Sequence, residues 1–401
     1  MTPAVGPRIA VVGGSIAGCA MALAAHRAGG RVVVIERSTC QLQERGYGIA
    51  VPPGMLGALT ESGFLDPAMP HHPVAQRIWI VRDPESPREE QVLWQQPSPV
   101  TLCNWGILWR TLRTAITDVQ YRAGTQVTEI ETIDSGGASV GYDNGTVERF
   151  DLVIGADGYR STTRCAVVPD FAPRRVGYAL WRATYPEMDV PQPVPELDRA
   201  YVTVVFPHGQ AVFYLIPDGR GGRNLNWALY AYPPTVLSTA HFDPSSTGTE
   251  LTTFVKHLAA ESLPPRWADL ITAADAVATH PIDELTITRY TRGPLALAGD
   301  AGAVARPHTA SGAVKALDDA RCLHQALQAT DTPAAALARY DRERCRAGNQ
   351  LALLGRRIGR DQIESPPDWR RMNPTSMHAW TQHTLNGTAH YLYADTRLTE
   401  V

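Results

Sequence analysis

Lysine and cysteine are scarce in this chain of 401 residues, and long hydrophobic runs are missing. The six cysteines are scattered without a CxxC pair, so we expect neither a disulfide framework nor a zinc site, and a reducing cytoplasm is the predicted compartment. No apolar segment reaches the roughly 18 residues that span a bilayer, and the N-terminus does not read as a signal peptide. A net charge of −3 gives no reason to expect nucleic acid as a partner.

What is present fits a globular protein. Hydrophobic residues make up 44% of the chain and charged residues 19%. The length allows two domains or one elaborate domain. Because composition and length do not indicate a function, the function must be inferred from local sequence motifs.

The first motif is RIAVVGGSIAGCAMALAAHRAGGRVVVIER, residues 8–37. Its pattern predicts a strand, a tight turn at Gly13, a helix and a second strand ending at Glu36. Ser15 replaces the middle glycine of the usual G-x-G-x-x-G but is small, and Gly18 lets the helix pack close to the strand. The helix N-terminus suits phosphates, and Glu36 can accept hydrogen bonds from ribose hydroxyls. The motif predicts a dinucleotide site without deciding between NAD and FAD.

Two later segments repeat the theme of an apolar strand followed by glycine and aspartate. They are DLVIGADGYRSTTR at 151–164 and LALAGDA at 295–301. Asp157 and Asp300 would each lie at the carboxyl end of a strand, where open α/β sheets bind ligands. An enzyme that binds only NAD has no need for these turns, although aspartate beside glycine is also common in ordinary turns.

The three motifs, in this order and spacing, resemble the group A FAD-dependent aromatic monooxygenases, the family of para-hydroxybenzoate hydroxylase. The segment RPHTASGAVKALDDA is most similar to the dihydroxypyridine and salicylate hydroxylase branch. The resemblance covers most of residues 8–350. It implies FAD as the cofactor and NADH or NADPH as the co-substrate.

The resemblance also implies roles for individual residues. The pyrophosphate turn is matched by residues 13–18 and the ribose acid by Glu36. Asp300 matches the acid that holds the ribityl chain, and Pro307 matches a proline beside the reactive edge of the flavin. The full set of implied FAD contacts is Gly13, Ser15, Ile16, Ala17, Gly18, Glu36, Arg37, Arg45, Arg110, Val127, Asp157, Asp300, Pro307, Gly312 and Ala313.

A helix is predicted from Gly312 onward, because apolar residues recur there at helical spacing. Its N-terminus could stabilise negative charge on a reduced flavin. Pro307, which has no N–H, would leave an apolar wall beside the ring. His308 and Pro307 are the catalytic candidates, although a histidine in such a turn is also commonly structural. We expect Lys315 to reach solvent rather than the flavin.

The segment 176–280 changes character to apolar and aromatic strands separated by Gly, Pro and Asp turns, with two helices near 248–261 and 265–274. The predicted fold class is α/β (α+β overall): a Rossmann-like FAD-binding domain, an inserted antiparallel-sheet substrate domain and a C-terminal helical segment. The predicted FAD-binding segments are 1–70, 104–175 and 281–330. The substrate segments are 71–103 and 176–280, and the tail is 331–401, which we expect to pack on the body or on a partner subunit.

Alternation of side chains along a strand means that about half of the aromatic residues in the substrate sheet point away from any ligand. A flat apolar substrate with a few polar anchors suits the remainder. The substrate candidates are Trp181, Arg182, Tyr201, Phe213, Tyr214, Trp227 and Tyr230.

The predicted function is a single-component monooxygenase that uses NAD(P)H and O2, through a flavin C4a-hydroperoxide, to hydroxylate a small aromatic or heteroaromatic molecule. The expected state is a monomer or homodimer with no membrane span. Alternatives are another flavin oxidoreductase (an epoxidase, reductase or halogenase-like enzyme), a flavin-binding regulator without turnover, and an NAD-only dehydrogenase. The absence of a WxWxIP-like segment weighs against halogenation.

Overall fold

A computed structural model describes residues 6–39, 42, 47–234, 249–330 and 332–393. The helices are α1 Ile16–Arg27, α2 Pro53–Glu61, α3 Trp105–Thr114, α4 Thr162–Val167, α5 Thr249–Ser262, α6 Pro265–Thr272, α7 Gly312–Ala329, α8 Pro333–Gly359 and α9 Pro374–Leu385. The strands are β1 Arg8–Val12, β2 Arg31–Glu36, β3 Gly48–Val51, β4 His72–Arg82, β5 Glu90–Asn104, β6 Gln120–Ala123, β7 Val127–Thr132, β8 Ala138–Tyr142, β9 Val147–Phe150, β10 Leu152–Gly155, β11 Arg174–Pro186, β12 Ala200–Phe206, β13 Gly209–Pro217, β14 Arg223–Ala231, β15 Ala278–Glu284, β16 Thr291–Arg292 and β17 Leu295–Leu297.

The first layer is a six-stranded sheet in the order β16-β17-β10-β1-β2-β6, parallel except for β16. Its central strands β1, β10 and β17 are almost continuous apolar runs and are buried apart from Arg8 at the start of β1, as strands covered on both faces require. Helices α1 and α7 pack against each other in the same core, which also includes the three-stranded sheet β7-β8-β9.

The second layer is an eight-stranded sheet in the order β15-β11-β14-β13-β12-β4-β5-β3. It joins strands from both predicted substrate segments and adds β3 from the predicted first FAD segment. All of its pairings are antiparallel except β12 with β4, which is parallel. The sheet is therefore mixed rather than purely antiparallel.

The two faces of the second sheet have different coverings. Helices α5 and α6, which lie close to their predicted positions, cover one face and bury the large side chain of Trp267 against it. Part of the other face packs against α8, α9 and the tail residues that follow them. The rest of that face borders a cavity. No helix in the described part of the chain is both long and apolar enough to cross a membrane.

Candidate active site

The three glycine motifs meet at one edge of the first sheet. β1, β10 and β17 are neighbours, with Val12 paired to Gly155 and Gly155 paired to Leu297. Since all three strands run parallel, the turns that follow them emerge side by side. A Cβ atom on Gly13 would lie 2.4 Å from the carbonyl oxygen of Ala156, which shows how closely two of these turns approach.

The first turn has the geometry that a pyrophosphate site needs. Gly13 has φ +97°, which glycine adopts readily, and its N–H donates to the Ile35 carbonyl at 2.8 Å. A Cβ on Gly18 would lie 1.8 Å from the carbonyl oxygen of Gly13, so only glycine lets α1 start this close to the strand. Ser15 precedes α1 without capping it, and the first turn contains no acid. The N–H groups in the first turn of α1 are therefore available to bind an anion.

Glu36 lies where the ribose acid is predicted, at the end of β2. One carboxylate oxygen accepts a hydrogen bond from the Gly14 N–H at 2.7 Å and the other from the Ser38 N–H at 2.8 Å. These two bonds fix the carboxylate beside the turn. Each oxygen retains a lone pair that could accept a bond from a ribose hydroxyl.

The remaining residues predicted for the nucleotide half have more varied positions. Arg37 is exposed directly after β2, and Arg110 is exposed on α3. The neighbour of Arg110, Trp109, is buried and donates its indole N–H to the Gly14 carbonyl at 2.8 Å. Val127 is buried at the start of β7. Arg45 lies outside the described residues.

Asp157 is engaged in building its own turn. Its carboxylate accepts hydrogen bonds from the Ser161 hydroxyl at 2.5 Å and from the N–H and hydroxyl of Thr163 at 3.1 and 3.2 Å. Arg164, the residue after Thr163, donates to the Ala301 carbonyl at 3.3 Å and so connects this turn to the Asp300 turn. Asp157 thus shapes the edge at which the three motifs meet.

Asp300 follows β17 and lines the cavity. The turn that carries it is fixed from behind, because Asp319 accepts a hydrogen bond from the Gly299 N–H at 2.8 Å and Lys315 donates to the Gly299 carbonyl. Arg344 also donates to Asp319, at 2.6 Å. Desolvation by the surrounding protein raises the pKa of the Asp300 carboxyl above its usual range, and the Lys315 ammonium opposes that shift.

The expectation for Lys315 is wrong. Its side chain is 2% exposed and lies 3.6 Å from the Asp319 carboxylate, one helical turn away. A buried ammonium needs such partners, and Gly299 and Asp319 supply them. Lys315 therefore supports the Asp300 turn instead of reaching solvent.

The segment that enters α7 forms another wall of the cavity. Pro307 begins a short 3-10 turn, and Ala310 adopts the left-handed conformation at φ +49° before the helix starts at Gly312. Pro307, Gly312 and Ala313 all line the cavity. Ser311 does not cap α7, and the first turn carries no acid, so a second helix N-terminus can receive negative charge.

The cavity has a volume of about 470 Å³. It lies between the α7 entry segment and the second sheet, as the resemblance implies for a flavin and its substrate. The residues predicted for cofactor, substrate or catalysis that line it are Arg182, Tyr201, Tyr214, Tyr230, Asp300, Pro307, His308, Gly312 and Ala313.

Three substrate candidates point the other way and are withdrawn. Trp181, Phe213 and Trp227 are fully buried in the core between the second sheet and helices α5 and α6. Phe213, for example, packs against Trp267 with ring centres 5.0 Å apart. Strand alternation separates Trp181 from its cavity-facing neighbour Arg182.

His308 lines the cavity, but both of its ring nitrogens are engaged. Nε2 lies 2.7 Å from the Tyr178 hydroxyl and Nδ1 lies 3.1 Å from Nε2 of Gln210. Its ring also packs 4.6 Å from that of Tyr230. Burial and the nearby Arg306 cation lower the pKa of His308 to about 3, so the ring is neutral at physiological pH. His308 therefore stabilises the cavity wall, and neither of its ring nitrogens is free to transfer a proton.

Sequence reasoning missed one cation in the wall. Arg77 on β4 is buried and lines the cavity, where its Nε–H donates to the Thr203 hydroxyl at 2.8 Å. Its guanidinium lies 3.7 Å from the ring centre of Trp79. The available signal was a charged residue within an otherwise apolar strand, VAQRIWIV.

Comparison with known proteins identifies the family. Residues 7–353 match the family described as FAD binding domain. The chain belongs to this family. Its cofactor is FAD, and the crowded glycines and two uncapped helix N-termini fit that group.

The curated relatives point to one type of reaction. The chain is 27% identical over 339 residues to 2,6-dihydroxypyridine 3-monooxygenase of Paenarthrobacter nicotinovorans, covering 79% of this chain and 81% of that protein. It is also 27% identical over 368 residues to 3-hydroxybenzoate 6-hydroxylase of Klebsiella oxytoca, covering 88% of each. The chain is an FAD-dependent monooxygenase, and NAD(P)H and O2 are the general co-substrates of the family.

Solved structures show the same fold. The structure of 2,6-dihydroxypyridine-3-hydroxylase from Arthrobacter nicotinovorans matches with a TM-score of 0.80 at 22% identity, covering 90% of this chain and 94% of that one. The structure of Klebsiella pneumoniae HpxO with FAD and uric acid matches with a TM-score of 0.75 at 22% identity, covering 95% and 93%.

Proposed function

We propose that this monooxygenase hydroxylates a small aromatic or heteroaromatic ring that carries an acidic group, and that Arg182 binds the acid. The observation that carries this proposal is an arginine in the cavity wall without a carboxylate partner among the described residues. Two relatives of this chain support it, 3-hydroxybenzoate 6-hydroxylase and the 6-hydroxynicotinate 3-monooxygenase of Bordetella bronchiseptica, because the compound in each name carries a carboxyl group.

Arg182 is held in place by neutral groups. Its guanidinium lies 3.7 Å from the ring centre of Tyr47, and its Nε–H donates to Nε2 of His280 at 3.1 Å. Burial lowers the pKa of Arg182, and the nearby groups that oppose this shift are tyrosines. A buried cation without a counter-ion is costly. An anionic substrate in the cavity would offset that cost through charge-assisted hydrogen bonds.

The walls around Arg182 suit a flat ring. Tyr214 and Tyr230 come from the second sheet and Pro307 from the opposite side. Burial raises the pKa of Tyr214 to about 12, so its hydroxyl stays protonated and can donate to an oxygen of the substrate. Part of the 470 Å³ must hold the flavin ring, and the rest suits a substrate of one or two rings.

When bound, FAD supplies the redox chemistry, taking electrons from NAD(P)H and passing one oxygen atom of O2 to the substrate. The residues of the chain bind, orient and exclude water. Asp300 would accept hydrogen bonds from the cofactor's sugar chain, and Pro307 would present an apolar surface without an N–H; both residues line the cavity. The N-terminus of α7 opens onto the cavity and favours negative charge there.

We also propose the cytoplasm as the compartment and a monomer or homodimer as the assembly. The support for the compartment is the scattered cysteine pattern of the sequence. A mass measurement of the purified FAD-loaded protein in solution tests the assembly.

The test of function uses the purified, FAD-loaded enzyme with NADH or NADPH. The probes are 3-hydroxybenzoate and 2,6-dihydroxypyridine, with 3-hydroxybenzyl alcohol as a neutral counterpart of the benzoate. We expect an acidic probe to stimulate both NAD(P)H oxidation and O2 uptake and to give a hydroxylated product. If every probe leaves the basal oxidation rate unchanged, the proposed substrate class is wrong.

The role of Arg182 in binding the acidic group is tested with Arg182→Gln. We expect KM for the acidic probe to rise about 100-fold, because a charged partner is lost from a buried pair, while KM for the neutral probe changes little. Arg220→Gln is the matched control, since Arg220 is exposed in the β13–β14 turn of the same sheet. Equal losses for acidic and neutral probes would show that Arg182 is only structural.

A further inference from the structure

The residues His390–Tyr393 lie well beyond residue 353, where the match to the family ends. They nevertheless reach the cavity, since Leu392 is one of its lining residues and is only 5% exposed. We call these four residues the end segment. Their contacts join both sides of the site.

On the substrate side, the end segment is bonded to strands of the second sheet. The Leu392 carbonyl accepts hydrogen bonds from Nε2 of Gln96 at 3.1 Å and from the Ser98 hydroxyl at 3.0 Å, both buried. The Tyr393 hydroxyl accepts a bond from Arg77 at 3.2 Å. The segment therefore also helps to position the cation that sequence reasoning missed.

On the cofactor side, the end segment is bonded to the residues that lead into α7. Nδ1 of His390 accepts a hydrogen bond from the Leu392 N–H at 3.3 Å, so Nε2 carries the proton and donates to the Ser311 hydroxyl at 3.0 Å. The Tyr391 hydroxyl lies 3.0 Å from the Ala310 carbonyl and 3.2 Å from the Ala50 carbonyl on β3. The main chain is thus fixed on either side of Leu392.

This arrangement gives the Leu392 side chain a definite place in the wall. Its carbonyl is anchored by two side chains and its N–H by a third, so a change of side chain need not move the backbone. In an apolar pocket, a difference of one methylene group already changes affinity by about tenfold or more. Because Leu392 lines the cavity, a change in the size of its side chain is expected to change the space available to a ring.

We propose that the end segment forms an end wall of the substrate cavity and that Leu392 determines the size of ring that the enzyme accepts. The proposal rests on the proposed function, because it concerns the same substrate site. It assigns a specificity-determining residue to a part of the chain outside the matched family domain.

The test compares Leu392→Ala and Leu392→Phe in the full-length, FAD-loaded enzyme. The probes are 3-hydroxybenzoate, with one ring, and 3-hydroxy-2-naphthoate, with two, and binding is followed by the change in the visible flavin spectrum. We expect Leu392→Ala to shift the ratio of the two Kd values about tenfold toward the larger acid and Leu392→Phe to shift it the opposite way. A ratio that both substitutions leave unchanged would overturn the proposal.

Leu385→Ala is the matched control, because Leu385 is buried in the same hydrophobic cluster but does not line the cavity. We expect it to lower stability without changing the Kd ratio. The same shift in this variant would show that general loosening of the tail, not the wall, alters binding.

A second measurement separates this proposal from the proposed function. If the wild-type enzyme binds neither acid, the acidic substrate class fails, but the wall can still be tested by acrylamide quenching of the bound flavin's fluorescence. We expect Leu392→Ala to raise the quenching constant and Leu385→Ala to leave it unchanged. Equal quenching in wild type and Leu392→Ala would show that the Leu392 side chain does not limit access to the flavin.

Discussion

At the carboxyl edge of the six-stranded sheet, the groups that shape the cofactor site belong largely to the main chain, whereas side chains form the cavity face of the eight-stranded sheet. Gly13, Gly18 and Gly299 leave no space for a Cβ atom in the first region. Arg182 and Tyr214 line the cavity in the second. Substitutions of these glycines therefore collide with closely packed neighbouring atoms, while substitutions in the second region change one contact at a time.

The largest effect that this comparison predicts is at Gly18. In Gly18→Ala the new methyl would lie 1.8 Å from the Gly13 carbonyl oxygen, so α1 must move away from the phosphate site. We expect the purified protein to lose bound FAD, measured by the flavin absorbance per protein chain. Gly57→Ala is the control, because nothing lies within 4 Å of a Cβ there. Full FAD retention in Gly18→Ala would contradict the steric account of the turn.

The next effect is at Lys315, a side chain that acts on the main chain of the cofactor edge. Lys315→Met removes a partner of Asp319 and of the Gly299 carbonyl, and breaking a buried ion pair costs about 3–5 kcal/mol of stability. We expect the FAD Kd to rise as well, because the Asp300 turn loses support. The other lysine of the chain, Lys256, provides the control Lys256→Met. Lost stability with an unchanged FAD Kd would limit Lys315 to a structural role.

A smaller effect tests the two faces of the second sheet. Trp227→Leu opens space in the core against α5 and α6, and we expect a loss of about 1–3 kcal/mol in denaturant unfolding. The substrate KM should stay within twofold or so of wild type, since Trp227 faces away from the cavity. A large increase in KM with little loss of stability would mean that the faces have been assigned the wrong way round.

The smallest effect, per pH unit, comes from the histidines His308 and His390. Burial lowers the pKa of His308 to about 3 and of His390 to about 4, from an ordinary value of 6.5. The unfolded chain binds these protons first as the pH falls, so stability declines from about pH 6.5 toward pH 4, by up to about 1.4 kcal/mol per pH unit for each histidine.

In His390→Gln, the loss of stability on acidification should be smaller by the contribution of one histidine. The measurement is the free energy of unfolding at several pH values between pH 6.5 and 4.5. His26→Gln, at an exposed position on α1, is the control. An identical pH slope in wild type and His390→Gln would show that His390 is not held neutral in the folded protein.

The cofactor edge could be predicted from sequence because its signals are local. A strand followed by glycine and a small residue or an acid identifies each turn, and the rule that ligands bind at the carboxyl ends of parallel strands places the turns together. The adjacency of β1, β10 and β17 confirms that placement. The position of Lys315 was predicted wrongly because one of its partners, the Gly299 carbonyl, lies on a separate turn, although the spacing of Lys315 and Asp319 on α7 was a visible signal.

The cavity wall was harder to predict because both faces of the second sheet are buried. Large apolar and aromatic side chains therefore occur on both faces of β11, β13 and β14, and alternation alone cannot say which set faces the substrate. Trp181 and Arg182 illustrate this, being neighbours on opposite faces. The end segment carries no motif, and its place in the wall depends on contacts with residues about 300 positions away, such as Gln96 and Ser98.

The parallel pairing of β12 with β4 has a consequence for how the chain folds. Residue 76 pairs with residue 200, so the centre of the eight-stranded sheet joins parts of the chain that are more than a hundred residues apart. During synthesis, β4 and β5 must wait for β12 to emerge from the ribosome. The entropy of closing such long loops is lost before the stabilising contacts form. Folding is therefore slow, and strand edges stay unpaired in the meantime. We therefore expect slow refolding and a dependence of soluble yield on temperature during expression.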